Sequence, residues 1–416
     1  MRRQTNLAAW LALVALIGLV PRAAAAASSC GSSGSHTICL TAASTLTGQA
    51  LVTVTNSPNN GTVVFQWVPD NGSTTYLMTD YAPSPLSNDY SFVWPTDKYA
   101  NGGGALQARA GGSGSPVSIR VTLSNSGFAP TPDDWDAYLP PATWTGTADP
   151  VVAAVGDGAS GEANPATVVA GIRAARPNLF LYLGDVYETG TYVENLNHYG
   201  APGLGGASGN QWGQLWSITQ PTLGNHEAPN TPAYVDYWHQ RPLWTSFTFG
   251  NVLFLDLDSS TSMASGSAQY KFVQNVLGSQ SRPPCVVAFW HILPVGKDGV
   301  VKQGQTAMWA LLVNNGGDLV LNGHRHTMIQ FKRLNSALQP AGTGEPGMVD
   351  LVSGAGGHSV GGTATNDARI QWSVGKTPGA VYLTLNGAAR SGTPTGLSWS
   401  FKNASGSPLR TGTISC

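Results

Sequence analysis

Five short fragments of this sequence carry side chains of the types that bind metals. One is a tight Gly-led turn, Thr222-Leu223-Gly224-Asn225-His226-Glu227. The other four place their polar side chains directly after short apolar runs, and they are Val155-Gly156-Asp157-Gly158, Leu183-Gly184-Asp185-Val186-Tyr187, Phe289-Trp290-His291 and Asn322-Gly323-His324-Arg325-His326. The apolar runs predict buried strands, and in an α/β sheet the carboxyl ends of such strands form the edge where ligands bind. We therefore expect these side chains, which are far apart in the chain, to meet at one sheet edge.

The polar side chains of these fragments are carboxylates, an amide, imidazoles and a phenol. This mixture of oxygen and nitrogen donors suits zinc, iron or manganese, and no cysteine pair has the spacing of a structural zinc site. One carboxylate can bridge two ions, and two ions about 3.5–4 Å apart can clamp both sides of an in-line phosphoryl displacement. A single Gly-Asp after a strand is more often an ordinary turn, so the prediction depends on the five fragments occurring together.

The sequence pattern changes near residue 150. Residues 28–126 are predicted to form a small all-β sandwich that resembles bacterial immunoglobulin-like modules, because short alternating runs are separated by Gly- and Asn-rich turns. Within it, residues 28–44 look like a lead-in of small residues before the strands. Residues 127–148 contain several prolines and predict a semi-rigid connector. Strand and helix patterns then alternate from Val151, and the C-terminal part returns to strands, so residues 149–416 are predicted to form an α/β domain.

The N-terminus predicts secretion. Arg2 and Arg3 precede an apolar run from Leu7 to Val20, which is shorter than the ~20 residues of a membrane span. Alanines at A-x-A positions follow, so residues 1–27 are predicted to be a signal peptide, and the protein to be extracellular or periplasmic. No later segment is apolar enough to predict a membrane span.

Charge and cysteine content add two constraints. Lys and Arg number 21 against 22 Asp and Glu, with no basic stripe, so the sequence has no electrostatic footprint for nucleic acid. Four cysteines in an oxidising compartment predict two disulfides, for which three pairings are possible. The local choice, Cys30–Cys39, leaves Cys285–Cys416. The alternative is that Cys285 is a buried free thiol in a strand.

The ordered set GD, GD-Y, GNHE, WH and GHxH resembles the metallophosphoesterase (calcineurin-like phosphoesterase) superfamily, in its purple acid phosphatase-like branch. The resemblance covers residues 149–416. It implies two packed mixed β-sheets flanked by helices, an α-β-β-α sandwich. It also implies that a metal-bound hydroxide hydrolyses a small phosphoester, as in an acid phosphatase. The implied cofactors are two metal ions, iron with zinc or manganese.

The resemblance also implies roles for individual residues. The first metal is bound by Asp157, Tyr187 and His326, and the second by Asn225, His291 and His324. Asp185 bridges the two ions. His226 lies beside the leaving group as proton donor, and Glu227 orients His226.

The sequence departs from the family pattern in three places. Tyr187 follows Asp185 one residue earlier than in relatives, and in an extended chain that shift turns a side chain to the opposite face. Arg325 stands where many relatives have aspartate, and it would point away from its neighbours if this stretch were extended. No histidine follows His291 in the next loop. The possible replacements are His198, His239 and His358.

Two alternatives to a phosphomonoesterase stay open. One is a phosphodiesterase or a nucleotide or phospholipid hydrolase, because one fold hosts many substrates. The other is a non-catalytic secreted binding protein, in which the β-module carries the function. The oligomeric state is not predicted.

Overall fold

A computed structural model describes residues 25–55, 61–83, 89–111, 114–126, 144–201, 212–296, 298–364, 366–387 and 395–416. The chain divides into two units, Met1–Thr131 and Pro132–Cys416. The boundaries of the signal peptide, the module, the connector and the catalytic domain stay predictions. Residues 1–24 and 127–143, which hold most of the signal peptide and the connector, lie outside the described residues.

The described part of the first unit is an all-β sandwich, as predicted. Its strands are β1 (Ala26–Ser33), β2 (His36–Ala43), β3 (Thr45–Leu46), β4 (Gln49–Thr55), β5 (Val63–Pro69), β6 (Thr75–Asp80), β7 (Tyr90–Pro95), β8 (Gly102–Ala110) and β9 (Val117–Leu123). They form one sheet in the order β1-β2-β4-β7 and another in the order β3-β9-β8-β5-β6. Phe65 faces Phe92 across the core with ring centroids 4.5 Å apart. The immunoglobulin-like assignment stays a prediction.

The prediction of an irregular lead-in over 28–44 is wrong. Strands β1 and β2 pair there as an antiparallel hairpin, and Ile38 and Leu40 of β2 are buried on its inner face. The hairpin was missed because Ser, Gly and Ala fill seven of the eight positions of β1, so its first strand has little hydrophobic contrast. β1 begins at Ala26, so its first two residues fall within the predicted signal peptide.

The second unit contains two mixed sheets. The first is ordered β12-β11-β10-β20-β21-β22 and the second β13-β14-β15-β16-β18-β17-β19. The strands of the first are β10 (Val151–Val155), β11 (Leu179–Tyr182), β12 (Thr219–Pro221), β20 (Gly379–Asn386), β21 (Gly396–Asn403) and β22 (Pro408–Ser415). Those of the second are β13 (Thr245–Phe249), β14 (Val252–Asp256), β15 (Cys285–Trp290), β16 (Leu319–Asn322), β17 (Met328–Phe331), β18 (Val349–Ser353) and β19 (Ile370–Val374). Strands β10 to β12 are parallel, as are β14, β15, β16 and β18.

Helices flank these sheets. They are α1 (Ala163–Ala175), α2 (Tyr192–Glu194, continued by a π-helical turn Asn195–Tyr199), α3 (Thr231–Tyr237), α4 (Ala268–Leu277) and α5 (Thr306–Asn314). One core lies between the sheets, where Leu181 of β11 joins the same buried cluster as Val287 of β15. A second core lies between the other face of the second sheet and helices α4 and α5. The predicted α-β-β-α sandwich is confirmed. Among the described residues, no helix has the length and apolar character to cross a membrane.

The two disulfides are Cys30–Cys39, the local choice, and Cys285–Cys416, the pair that this choice leaves. Cys30 bonds Cys39, its register partner in the β1–β2 hairpin, and Cys285 bonds Cys416. The alternative of a free Cys285 thiol is wrong. Because Cys285 opens β15 and Cys416 follows β22, the second bridge joins the two sheets of the second unit.

We expect the Cys285–Cys416 bridge to stabilise the second unit strongly. It closes a separation of 131 residues, for which loop-closure entropy gives about 5 kcal/mol, against about 2.5 kcal/mol for a nine-residue separation. Combining Cys285→Ala with Cys416→Ser should lower the free energy of unfolding of the second unit by roughly that amount in guanidinium titrations. The matched control is Cys30→Ser with Cys39→Ser, which should leave the second unit unchanged. Equal stability of the bridged and unbridged second unit would contradict this expectation.

Candidate metal centre

The predicted ligands come from the carboxyl ends of strands in both sheets. Asp157 and Asp185 follow β10 and β11 of the first sheet, while His291 and His324 follow β15 and β16 of the second. Because both sheets present these ends at the same side, donors separated by up to 169 positions of chain converge. Their backbone is unusual as well. Asp157, Asp185 and His324 have φ values of 61°, 66° and 67°, a left-handed conformation that costs non-glycine residues energy and clusters at functional sites.

Glycines make the close approach of these loops possible. A Cβ on Gly224 would lie 2.2 Å from the backbone nitrogen of Asp185, and one on Gly184 would lie 2.7 Å from His291 Nδ1. No side chain fits in either place. The glycines that precede the polar residues in these fragments therefore bring three loops into contact around Asp185.

One half of the site forms around the Tyr187 hydroxyl. That oxygen lies 3.0 Å from Asp157 Oδ1, 3.2 Å from Asp185 Oδ2 and 2.9 Å from His326 Nε2. The early position of Tyr187 does not turn it away, because the positive φ of Asp185 interrupts the extended chain that such an argument assumes. The three residues implied for the first metal are therefore neighbours.

The other half forms around His291. Its Nε2 lies 3.0 Å from Asp185 Oδ2 and 3.0 Å from Asn225 Oδ1. Ligand atoms of Asp185, His291 and His324 all lie within 4.8 Å of one another. Asp185 Oδ2 is thus the atom that both halves share, which is the position required of a bridging carboxylate.

The ring nitrogens of three histidines are oriented by backbone carbonyls. His291 Nδ1 lies 2.7 Å from the Leu183 oxygen, and His326 Nδ1 lies 3.2 Å from the Ser359 oxygen. His226 Nδ1 lies 2.5 Å from the Glu188 oxygen. A carbonyl oxygen only accepts, so Nδ1 carries the proton in each ring and Nε2 is the atom that can bind a metal or exchange a proton.

The buried charges of this cluster fit cations. Burial raises the pKa of Asp157 to about 8. Burial would also raise the pKa of Asp185, but the His291 charge beside it holds that pKa below its usual value. Burial and the two carboxylates raise the pKa of the Tyr187 phenol well above its usual value. Buried anions need a compensating positive charge, and this donor set suits zinc, iron or manganese.

Glu227 has a different role from the one that the resemblance implies. Its Oε2 accepts hydrogen bonds from the backbone nitrogens of Gly224 (2.8 Å) and Asp185 (3.1 Å), and its Oε1 accepts from that of Val186. The orienting contact of His226 is instead the Glu188 carbonyl. Glu227 therefore joins two ligand loops and does not orient the His226 ring.

Of the three histidines considered as replacements, only His358 contributes its ring to the site. Its ring stacks on that of Tyr187 with centroids 3.9 Å apart, and its Nδ1 lies 2.8 Å from Glu162 Oε2. His198 is buried and contacts the Tyr187 carbonyl through Nδ1 at 2.6 Å, whereas His239 packs beside Trp216. Glu162 was missed because no apolar run precedes it.

The contacts of Glu227 generate a prediction. Glu227→Gln should lower the metal content per chain, because one amide oxygen cannot replace two carboxylate oxygens that accept three backbone N–H groups. Atomic emission after metal loading measures this content. Glu345→Gln, at an exposed position, is the matched control. Unchanged metal content in Glu227→Gln would show that the two loops hold their shape without this carboxylate.

Comparisons with known proteins agree with this geometry. The calcineurin-like phosphoesterase family model matches residues 150–328. The purple acid phosphatase PPD1 from yellow lupin (Lupinus luteus) seeds is 16% identical with a TM-score of 0.52, over 88% of this chain and 72% of that chain, and shows the fold. GAP50, the anchor in the inner membrane complex of Plasmodium, is 15% identical over 64% of this chain and 89% of that chain, and its TM-score of 0.46 is too low to support an argument. No curated protein matches significantly in sequence. Residues 150–328 therefore match the calcineurin-like phosphoesterase family, and the protein is, as the sequence predicts, a hydrolase of the class that acts on phosphoester bonds.

Proposed function

We propose that this protein is a secreted acid phosphatase-like phosphoesterase with a dinuclear centre of the purple acid phosphatase type. The observation that carries the proposal is the position of Asp185 Oδ2. It lies 3.2 Å from the Tyr187 hydroxyl in one donor group and 3.0 Å from His291 Nε2 in the other. Two donor groups that share one carboxylate oxygen suit two ions at bridging distance. Secretion is supported by the two disulfides, since such bridges persist in oxidising compartments.

Each donor group would hold one ion. The first ion would be held by Asp157, Tyr187 and His326, and the second by Asn225, His291 and His324. Asp185 would contact both. When bound, two such ions supply Lewis acidity and lower the pKa of water. A phenol among the donors favours iron in the first group, and the amide and imidazoles of the second favour zinc or manganese.

His226 is the proposed general acid. Its backbone nitrogen donates to Asp185 Oδ1 at 3.0 Å, which ties it to the bridging carboxylate. Its ring packs on Tyr187 with centroids 4.4 Å apart, and Nδ1 is engaged by the Glu188 carbonyl. Nε2 of this half-buried ring is therefore the atom that would give a proton to the leaving oxygen of the substrate.

The proposal is tested by Asp185→Asn. The native protein, loaded with iron and zinc or with manganese, should hydrolyse 4-nitrophenyl phosphate. The variant should lose at least one ion per chain and nearly all turnover, because it removes the negative charge between two cations. Full metal content with near-native hydrolysis in Asp185→Asn, or no hydrolysis by the metal-loaded native protein, would overturn the dinuclear proposal.

A second test separates proton donation from metal binding. His226→Ala should retain its metal content, since His226 is not among the proposed ligands. It should slow an alkyl phosphate by about 10²–10⁴-fold, the usual contribution of general acid catalysis. Hydrolysis of 4-nitrophenyl phosphate should be slowed far less, because its leaving group needs little protonation. Equal slowing of both substrates would count against His226 as the acid.

A further inference from the structure

The loop that follows His291 is a short hairpin. Val295 and Val301 form a β-bridge, Gly296 N donates to the Val300 oxygen at 2.8 Å, and Lys302 N donates to the Pro294 oxygen at 2.9 Å. The described residues of this hairpin are 293–296 and 298–301. The hairpin returns the chain to the sheet edge, so that Lys302 stands at its base with an exposed side chain.

Arg325 reaches this hairpin from the neighbouring loop. It lies between the proposed ligands His324 and His326, and its Nη2 is 3.5 Å from the position that a Cβ on Gly296 would take. Its Nε is buried without a hydrogen-bond partner. Within the described part of the chain, no carboxylate lies within 4.0 Å of the guanidinium. A buried guanidinium nitrogen normally has a partner, so this side chain has capacity for an anion.

The two cations lie close to the metal centre. Arg325 stands directly between the proposed ligands His324 and His326. Lys302 lines a cavity together with Ile292, which follows the proposed ligand His291. Asp298 is a carboxylate near both cations, but it is fully exposed and uses Oδ1 to accept from Val300 N. Two cations beside one exposed carboxylate leave a net positive charge next to the proposed second ion.

A cavity adjoins Lys302. It has a volume of about 320 Å³, and its lining includes Ser259, Thr261, Met263, Ile292, Lys302 and Gln303. Ile292 directly follows the proposed ligand His291, and its backbone nitrogen donates to Ser259 Oγ at 3.0 Å. The wall of the cavity therefore includes the residue next to a proposed ligand, and it combines an ammonium group with hydroxyls. Such a lining suits a small hydroxylated or charged group better than an acyl chain.

We propose that Arg325 and Lys302 bind a second anionic group on the organic part of the substrate. The preferred substrate is then a small phosphoester that carries a carboxylate or a further phosphate besides the phosphoryl group that is hydrolysed. The guanidinium fork matches both anions, and the ammonium adds a point charge. This inference rests on the proposed function and narrows its substrate class.

The test compares three near-isosteric substrates with the full-length, metal-loaded protein. Glycerol 3-phosphate has no second anion, 3-phosphoglycerate has a carboxylate, and glycerol 1,3-bisphosphate has a phosphate. The native protein should favour one or both of the latter in kcat/KM by about tenfold or more, mainly through KM, since a charged hydrogen bond contributes about 1.5–3 kcal/mol. Whichever is favoured identifies the anion. R325Q and K302Q should each reduce that preference about tenfold while metal content and glycerol 3-phosphate hydrolysis stay nearly unchanged.

Lys271→Gln on the exposed face of α4 is the matched control and should keep the full preference. The inference is overturned if the native protein has no preference, or if R325Q slows all three substrates by the same factor. If the metal-loaded protein hydrolyses none of them and no aryl phosphate, the proposed function fails. Calorimetric dissociation constants of the three compounds then decide the inference separately. Tighter binding of the doubly anionic compounds that R325Q abolishes supports it, and equal binding overturns it.

Discussion

The two donor groups of the candidate metal centre depend on one shared group, the buried carboxylate of Asp185. Its Oδ2 faces both donor groups, its Oδ1 accepts from the His226 backbone, and its own backbone nitrogen is held by Glu227. A negative charge that is only 2% exposed is costly without cations nearby. The two sheets set the position of this carboxylate, and the glycines leave space for the loops that surround it. Positive charge nearby compensates for its burial.

Much of this arrangement could be predicted from the sequence because buried parallel strands leave a strong signal. The runs that end at Asp157 and His291 are almost wholly apolar, and strands β10 and β15 form where they were expected. Weaker elements were missed for a physical reason. Strands such as β19 (Ile370–Val374) are half-buried at a sheet edge and mix polar with apolar residues, so neither period dominates.

The contacts within the site were harder to predict than the set of residues that form it. Alternation arguments treat a chain as extended, but Asp185 and His324 both adopt positive φ. The directions of the Tyr187 and Arg325 side chains therefore could not be predicted by counting residues. The contacts of Glu227 could not be predicted for a similar reason. Its partners are backbone nitrogens, which leave no signal in the choice of residue types. Stacking of His358 on Tyr187 joins loops 171 positions apart and has no local signature.

The position of β10 has a consequence for how the second unit is assembled. This strand precedes Asp157 and pairs with β11 on one side and with β20, more than 200 residues later, on the other. The whole second sheet is made by the chain in between. Closing so long a loop costs entropy before its contacts repay it. Pairing β10 with β20 therefore costs more chain entropy than pairing β10 with its nearer neighbour β11, so the edge of the candidate metal centre that holds Asp157 depends on the longest-range strand pairing of the first sheet.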